Sequence, residues 1–192
     1  MRGSDQGTVV RGEGPWALVF LALLVVGAKP AADATHHHRR KPPPTLAASS
    51  TARADIPPTY LTLYRRAAGT CHGLSWTVLA GIGKVESNHG RSRLPGVRSG
   101  ENFAGAGGPM QFLSGTWARY GRGGNRYDPA DAIPAAARLL CANGIGQASG
   151  HDPCPQLRGT AGQHRAIHAY NHACWYVRQV LAFARYYQAG RR

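Results

Sequence analysis

The amino-acid sequence predicts an all-α domain over residues 56–190. Apolar residues recur at intervals of three or four along several segments, which is the spacing of one helix face. The clearest set is Trp76, Leu79, Ile82 and Val85. Helix start and stop signals flank these segments, and no stretch of useful length alternates as a half-buried strand does. A packed set of helices is therefore expected.

Residues 1–34 have the features of an export signal. Arg2 and Arg11 precede an apolar run over residues 16–28, and small residues follow it. A helix needs about 20 residues to span a bilayer, so a signal peptide that is cleaved after Ala28 or Ala34 is expected. A retained N-terminal anchor is the alternative. Both predict a secreted or cell-envelope protein that contacts the membrane only through this segment.

Residues 35–55 are expected to form a disordered linker. Residues 36–44 combine three histidines with arginine, lysine and three prolines, and alanine, serine and threonine dominate after them. Such a composition buries too little apolar surface to fold by itself. The histidines are interpreted as part of a solvated tether rather than as metal ligands.

The first two predicted helices lead to the most informative carboxylate in the chain. Residues 57–69 open with two prolines and end at a glycine, as helices commonly do. Residues 76–90 form the second helix, with Glu86 in the last turn and Gly90 as the stop signal. A loop rich in glycine and arginine then runs to Pro109, and a loop of this length inside a domain is usually functional.

Three further helices are predicted after this loop. One covers residues 110–121 and is closed by a glycine. The next runs from Asp128 to residue 143, with Asp128 as N-cap and Asp131 in the first turn. Since both acids have a structural role there, they are weaker candidates for catalysis. The last helix is predicted over residues 163–188.

Glu86 is the candidate catalytic residue. A carboxyl group at the edge of an apolar helix is partly desolvated, which raises its pKa and favours the protonated form. A general acid needs that property near neutral pH. The alternative is an ordinary surface glutamate in a last helical turn.

Four cysteines favour disulfide bonds. Cys71, Cys141, Cys154 and Cys174 make an even number in a chain that has an export signal. None belongs to a CxxC pair, which argues against a zinc ribbon or a thioredoxin-type site. The residues alone leave all three pairings open.

Three short segments resemble those of the lytic transglycosylases in the lysozyme-like superfamily. They are residues 86–90 (ESNHG), 108–112 (GPMQF) and 169–171 (AYN), and their order and spacing are similar to the membrane-bound lytic transglycosylase B type in its short secreted form. The resemblance implies a lysozyme-like helical domain with a cleft. It also implies cleavage of the β-1,4 bond between N-acetylmuramic acid and N-acetylglucosamine, with a 1,6-anhydro product.

The resemblance also assigns site residues. It implies that Glu86 is the single catalytic acid and base, and that Ser87 orients this acid or the substrate. Gln111 is implied to line the cleft, Tyr170 to hydrogen-bond Glu86, and Asn171 to hold the N-acetyl group. Met110, in the same motif as Gln111, is placed with the substrate-binding residues.

Aromatic side chains suggest where sugar rings stack. Phe103 lies in the long loop between Asn102 and Ala104 and is a candidate sugar contact. Trp117 and Trp175 are expected to pack in the core instead.

Several departures from the family pattern carry expectations of their own. Relatives often have an acidic, calcium-loop-like segment where this chain has residues 122–127, which lack the carboxylates that calcium requires. We therefore expect no calcium site, and no other metal or cofactor. The resemblance favours a Cys71–Cys141 disulfide and leaves Cys154–Cys174 as the second, with mixed pairing as the alternative. His164, His168 and His172 share one predicted helix face, which is expected to be exposed or to line the cleft.

The net charge of +14 predicts an anionic partner. Peptidoglycan glycan strands and anionic wall polymers fit an exported protein, whereas nucleic acid does not, since no nucleic-acid motif is present. A monomer is expected. The alternatives to a transglycosylase are a muramidase that uses water and a non-catalytic wall-binding module of the same fold.

Overall fold

A computed structural model describes residues 48–189, so the signal or anchor segment and the linker up to residue 47 lie outside the described residues. The described part is mostly helical, as predicted. The elements are, in order, α1 Ser50–Asp55, α2 Pro58–Ala68, α3 Trp76–Ser87, β1 Ala106–Gly107, β2 Phe112–Leu113, α4 Ser114–Tyr120, α5 Pro129–Ala142, α6 Ala161–His168 and α7 Cys174–Gln188. No helix within residues 48–189 is both long and apolar enough to cross a membrane.

Helix α3 is the buried centre of the domain. Ser75 caps its first turn by accepting a hydrogen bond from the Thr77 N–H, and most of its residues are buried. At Gly81 a Cβ atom would lie 2.5 Å from the Val180 carbonyl oxygen of α7. The missing side chain therefore allows α3 and α7 to pack closely, which fixes the position of the Glu86 turn.

Helix α1 corrects the predicted boundary of the linker. Residues 50–55 are helical, and the Ser49 hydroxyl both caps α1 and donates a hydrogen bond of 2.7 Å to the Tyr187 carbonyl of α7. Thr51 and Ala52 are buried. An alanine-rich segment of this composition does not fold alone, but a short helix of this kind is stabilised by packing on the rest of the domain.

The predicted starts of α2 and α5 agree with the structure. Pro58 is the first residue of α2, and Gly69 follows its end. Asp128 caps α5 by accepting a hydrogen bond of 2.8 Å from the Ala130 N–H. Asp131 lies in the first turn of α5 and accepts a hydrogen bond of 2.8 Å from the Asn125 N–H, so it also holds the preceding loop.

The single helix predicted over residues 163–188 is wrong, because the chain forms α6 and α7 with a break at residues 169–173. Apolar residues keep helical spacing across the break, and neither glycine nor proline marks it. The start of α7 is fixed by the Cys154–Cys174 disulfide, and the other disulfide joins Cys71 and Cys141. The favoured pairing is confirmed.

The helix predicted over residues 110–121 is also shorter than expected. Only Ser114–Tyr120 is helical, and the residues before it form an antiparallel pair in which Ala106 faces Leu113 and Gly107 faces Phe112. Each strand has only two residues, which is too short for an alternating sequence pattern to predict this antiparallel pair. Gln111 lies in the connecting turn with a φ of 48°.

Candidate active site

Glu86 lies in the last turn of α3, as predicted. The predicted stop signal, Gly90, is wrong. The helix ends at Ser87, and Asn88 adopts the left-handed conformation of the C-cap, with a φ of 51°. Asparagine tolerates this conformation better than most residues. The helix therefore ends three residues before Gly90, and its C-cap is Asn88.

The carboxyl group of Glu86 is in a desolvated position beside one hydroxyl group. Burial raises its pKa from 4.5 to about 7, and a hydrogen bond from the Tyr176 hydroxyl to Glu86 Oε1 acts in the opposite direction. Desolvation, which penalises the charged form, is the larger of the two effects on the pKa. Near neutral pH, Glu86 can therefore both donate and accept a proton.

The tyrosine that contacts Glu86 is Tyr176, and the expectation that Tyr170 does so is wrong. The Tyr170 hydroxyl donates to the Met110 carbonyl oxygen at 2.7 Å. The rings of Tyr170 and Tyr176 stack with centroids 6.3 Å apart and an interplanar angle of 9°. Tyr176 lies on the buried face of α7, close to Cys174, and its position in the sequence indicates only a core residue.

Ser87 joins the end of α3 to the hairpin turn. Its hydroxyl donates to the Pro109 carbonyl at 2.6 Å and accepts from the Gly90 N–H at 2.7 Å. The residue is 1% exposed. Ser87 thus holds the two chain segments that flank Glu86 in fixed positions.

Gln111 is held by an amide that the sequence analysis did not single out. Asn102 donates to Gln111 Oε1 at 3.0 Å, and Gln111 Nε2 donates to the Gly108 carbonyl at 2.7 Å. Asn102 Oδ1 also accepts hydrogen bonds from the N–H groups of Ala104 and Ala106. The spacing of Asn102 within a glycine-rich loop is typical of such local turns.

The other predicted contact residues have different environments. The Met110 side chain is fully buried in the core, and only its carbonyl points to another site residue, Tyr170. Phe103 and Asn171 are exposed. Trp117 is half-buried against Phe112, in agreement with a packing role.

Trp175 is not a core residue. Its side chain is 56% exposed, although it lies on a helix whose neighbouring residue Tyr176 is buried. The prediction failed because Trp175 lies outside the α7 face on which Val177, Leu181 and Tyr187 are buried.

Glu86 differs from every other carboxylate within residues 48–189. Asp55 pairs with Lys84 and Arg91. Glu101 pairs with Arg126, and Asp152 pairs with His164. The pKa of each of these three carboxyl groups is lowered. Asp128 and Asp131 accept the main-chain hydrogen bonds described above. Glu86, by contrast, has no cationic partner among the described hydrogen bonds, and burial raises its pKa.

A buried histidine fixes the loop that follows Glu86. His89 is 1% exposed and lies between the Tyr64 hydroxyl, 3.0 Å from Nδ1, and the Tyr187 hydroxyl, 2.9 Å from Nε2. Tyr187 donates its own proton to Asp55, so His89 Nε2 is the donor to Tyr187 and Nδ1 accepts from Tyr64. Burial lowers the pKa of His89 to about 3, which keeps the ring neutral.

Among residues 48–189, no group of three or more histidine, cysteine, aspartate or glutamate side chains is placed to hold a metal ion. The expectation that the protein needs no calcium or other cofactor stays a prediction. The three histidines do not form the single helix face that was expected, because His172 follows the end of α6. His164 is buried and hydrogen-bonds Asp152.

No family model matches the chain. No curated protein matches it either.

Two solved structures show a distant likeness, and both are of the lytic transglycosylase Slt35 of Escherichia coli. The structure in complex with calcium is 17% identical, with a TM-score of 0.49, over 71% of this chain and 76% of that chain. The structure in complex with bulgecin A is 17% identical, with a TM-score of 0.49, over 76% of this chain and 79% of that chain. Similarity at this level carries no argument about the activity of this chain.

Proposed function

We propose that the protein is a peptidoglycan lytic transglycosylase, similar to the membrane-bound lytic transglycosylase B type. The observation that carries the proposal is a single carboxyl group, that of Glu86, whose pKa burial raises to about 7. The other carboxylates of the described residues are occupied by cations or main-chain N–H groups. Glycosidases that use two carboxylates need a second free one near the first. A single carboxyl group instead suits a reaction in which the substrate supplies its own nucleophile.

In the first proposed step, protonated Glu86 donates its proton to the glycosidic oxygen between N-acetylmuramic acid and N-acetylglucosamine. The C1–O bond breaks, and the N-acetylglucosamine end leaves as an alcohol. The carbonyl oxygen of the muramic N-acetyl group attacks C1 and forms an oxazolinium ion. The Tyr176 hydroxyl hydrogen-bonds the newly formed Glu86 carboxylate and stabilises it.

In the second proposed step, the Glu86 carboxylate removes the proton from the 6-hydroxyl group of the same muramic residue. O6 then attacks C1, the bond from C1 to the acetamido oxygen breaks, and a 1,6-anhydro ring closes. Glu86 is protonated again, so the cycle balances without water. A pKa of about 7 suits a group that must act as acid and then as base, because neither form is strongly disfavoured.

Positioning in this mechanism falls to the groups around Glu86. Ser87 ties the end of α3 to Pro109, and Gln111 is oriented by Asn102, so the hairpin and the catalytic turn keep a fixed separation. We assign Gln111 and the exposed residues Phe103 and Asn171 to substrate contact. Tyr170 supports the Met110 carbonyl rather than Glu86.

The test is digestion of purified peptidoglycan by the wild type and by Glu86→Gln, followed by mass spectrometry of the soluble products. We expect clearing by the wild type alone and products with a 1,6-anhydro end, which is one water molecule lighter than a reducing end. A reducing end would replace the transglycosylase with a muramidase. Equal clearing by both proteins would overturn the catalytic role of Glu86, and clearing by neither would leave only a wall-binding module.

We further propose that the protein acts as a monomer outside the cytoplasmic membrane, delivered by the N-terminal 34 residues. The proposal is supported by the basic and apolar composition of this segment and by two disulfides, which persist in oxidising compartments. Fractionation of cells that express the full chain tests it. Recovery of the protein in the cytoplasm with reduced cysteines contradicts it.

A further inference from the structure

A cationic cavity of about 320 Å³ lies beside the break between α6 and α7. Its walls come from the end of α5, the loop between α5 and α6, the last turn of α6 and the break itself. The lining residues are Asn143, His151, Pro153, Arg165, His168, Ala169 and His172. None of these residues is acidic, although the cavity has one guanidinium group and three imidazole rings.

Arg165 has hydrogen-bonding capacity to spare in this cavity. Its Nη1 donates to the His151 carbonyl at 3.1 Å and its Nη2 donates to Gln147 Oε1 at 3.4 Å. A guanidinium group carries five N–H donors, so several are left for a ligand. Both protein acceptors are neutral, which leaves the positive charge of Arg165 without a carboxylate partner among the hydrogen bonds of the described residues.

The histidines add donors on the facing side. The rings of His168 and His172 meet edge to face, with centroids 5.7 Å apart. An imidazole offers at least one N–H donor whether it is neutral or charged. Two rings and a guanidinium group around one cavity therefore suit an oxyanion, whereas the positive charge of Arg165 repels a cation.

The loop that forms the cavity wall is held in place independently of any ligand. The Cys154–Cys174 disulfide ties it to α7, and His164 on α6 bonds both oxygens of Asp152 at 2.9 Å. Asp152 also accepts from the Cys154 N–H at 2.8 Å. The one carboxylate near the cavity is thus already engaged, and it does not neutralise Arg165.

The cavity is continuous in sequence with the candidate active site. Ala169 lines the cavity, and the next residue, Tyr170, donates a hydrogen bond to the Met110 carbonyl, which follows the Pro109 carbonyl that Ser87 contacts. The substrate of the proposed function carries anionic groups, which makes it the first candidate for a ligand of this cavity.

We propose that this cavity is an oxyanion subsite for the cell-wall polymer, an inference that rests on the proposed function. Two sources carry the required chemistry: the carboxylates of the stem peptide on the glycan strand, and the phosphodiesters of an anionic wall polymer. Either source would extend recognition beyond the sugar rings and would account for part of the cationic charge.

Binding, rather than turnover, tests the subsite. Isothermal titration on the Glu86→Gln background measures three probes without cleavage: a disaccharide with its stem tetrapeptide, the same disaccharide without the peptide, and a glycerol phosphate oligomer. We expect the double substitution His168→Ala and His172→Ala to weaken binding of one of the anionic probes about tenfold, because the imidazole N–H donors are lost. Binding of the peptide-free disaccharide should not change.

Two further variants make the result specific. Arg165→Gln should weaken the same probe, although it also removes the hydrogen bond to the His151 carbonyl. Arg185→Gln removes the same charge from an exposed position in the last turn of α7 and should have no more than a small effect. Loss with the tetrapeptide probe assigns the site to stem-peptide carboxylates, and loss with the glycerol phosphate oligomer assigns it to phosphodiesters.

Equal affinities of the histidine double variant and Arg185→Gln for both anionic probes would overturn the proposal. Failure of the proposed function has a different signature, since the wild type would then release no 1,6-anhydro product whatever these affinities are.

Discussion

Replacement of Glu86 by glutamine should make the protein more stable than the wild type at alkaline pH. Loss of an ordinary side chain would instead lower the stability at every pH. Burial favours the neutral carboxyl group of Glu86, and glutamine is a neutral group of the same shape. Tyr176 can still donate its hydrogen bond to the amide oxygen. The variant therefore keeps the contacts of the protonated wild type but cannot ionise.

The magnitude follows from the pKa of Glu86 in the folded and unfolded chain. The folded value of about 7 lies above the ordinary value of 4.5, so the native state holds its proton where the unfolded state has lost it. Stability conferred by the neutral form is present in full below pH 4.5 and is lost as pH rises through 7. The total corresponds to about 3 kcal/mol. Because water reaches part of the residue, we expect about 2 kcal/mol between pH 5 and pH 8.

Urea denaturation of both proteins at pH 5 and pH 8, with the disulfides oxidised, measures this quantity. The free energy of unfolding of Glu86→Gln minus that of the wild type should be about 2 kcal/mol larger at pH 8 than at pH 5. The subtraction removes the pH dependence of all other groups. A change below about 0.5 kcal/mol would show that Glu86 is not desolvated in the folded protein, and the acid–base argument would fail with it.

Three other substitutions probe the surroundings of the site. Tyr176→Phe removes the donor that stabilises ionised Glu86, so the alkaline limb of the activity profile should move up by about one pH unit as turnover falls. Gly83→Ala places a Cβ atom on the hydroxyl of buried Tyr64 and should lower the free energy of unfolding by about 2 to 4 kcal/mol, measured in urea. His89→Gln should make the free energy of unfolding less dependent on pH in the acid range. With a folded pKa of about 3 against an ordinary 6.5, wild-type His89 costs stability as pH falls between these values, about 3 kcal/mol from pH 7 to pH 4.

Matched controls separate these effects from general damage. Tyr186→Phe removes a hydroxyl from an exposed tyrosine and should leave the activity profile in place. Gly115→Ala adds a methyl group in α4 where no atom lies within 4 Å, and should be neutral or slightly stabilising. An unchanged activity profile in Tyr176→Phe, or equal costs at Gly83 and Gly115, would contradict the geometry on which the predictions rest. Parallel acid limbs for the wild type and His89→Gln would show that the buried ring is not neutral.

Local signals predicted the parts of the fold that depend on neighbouring residues. Asp128 caps α5, Gly69 follows α2, and Glu86 lies in the last turn of a buried helix. Capping and helical periodicity act over one or two turns, so a sequence records them directly. The two disulfides agree with the pairing that the family resemblance favoured.

Contacts between distant segments were not recoverable in the same way. The break before α7 has no glycine or proline, and helical spacing continues across it. Glu86 is hydrogen-bonded by Tyr176 on α7 and not by Tyr170 in the break, and Trp175 lies outside the buried face of α7. The identity of a hydrogen-bond partner 90 residues away depends on how helices pack, and periodicity carries no information about that.

The segment that composition assigned to a linker has a further role in the site. Asp55, the last residue of α1, accepts hydrogen bonds from Lys84, Arg91 and Tyr187, and these donors lower its pKa despite burial. Glu86, two residues after Lys84, has only the Tyr176 hydroxyl as a donor, and its pKa rises. The pKa values of two carboxyl groups near one end of α3 are thus shifted in opposite directions, because Asp55 accepts hydrogen bonds from two cations whereas Glu86 is desolvated and accepts only from a neutral hydroxyl.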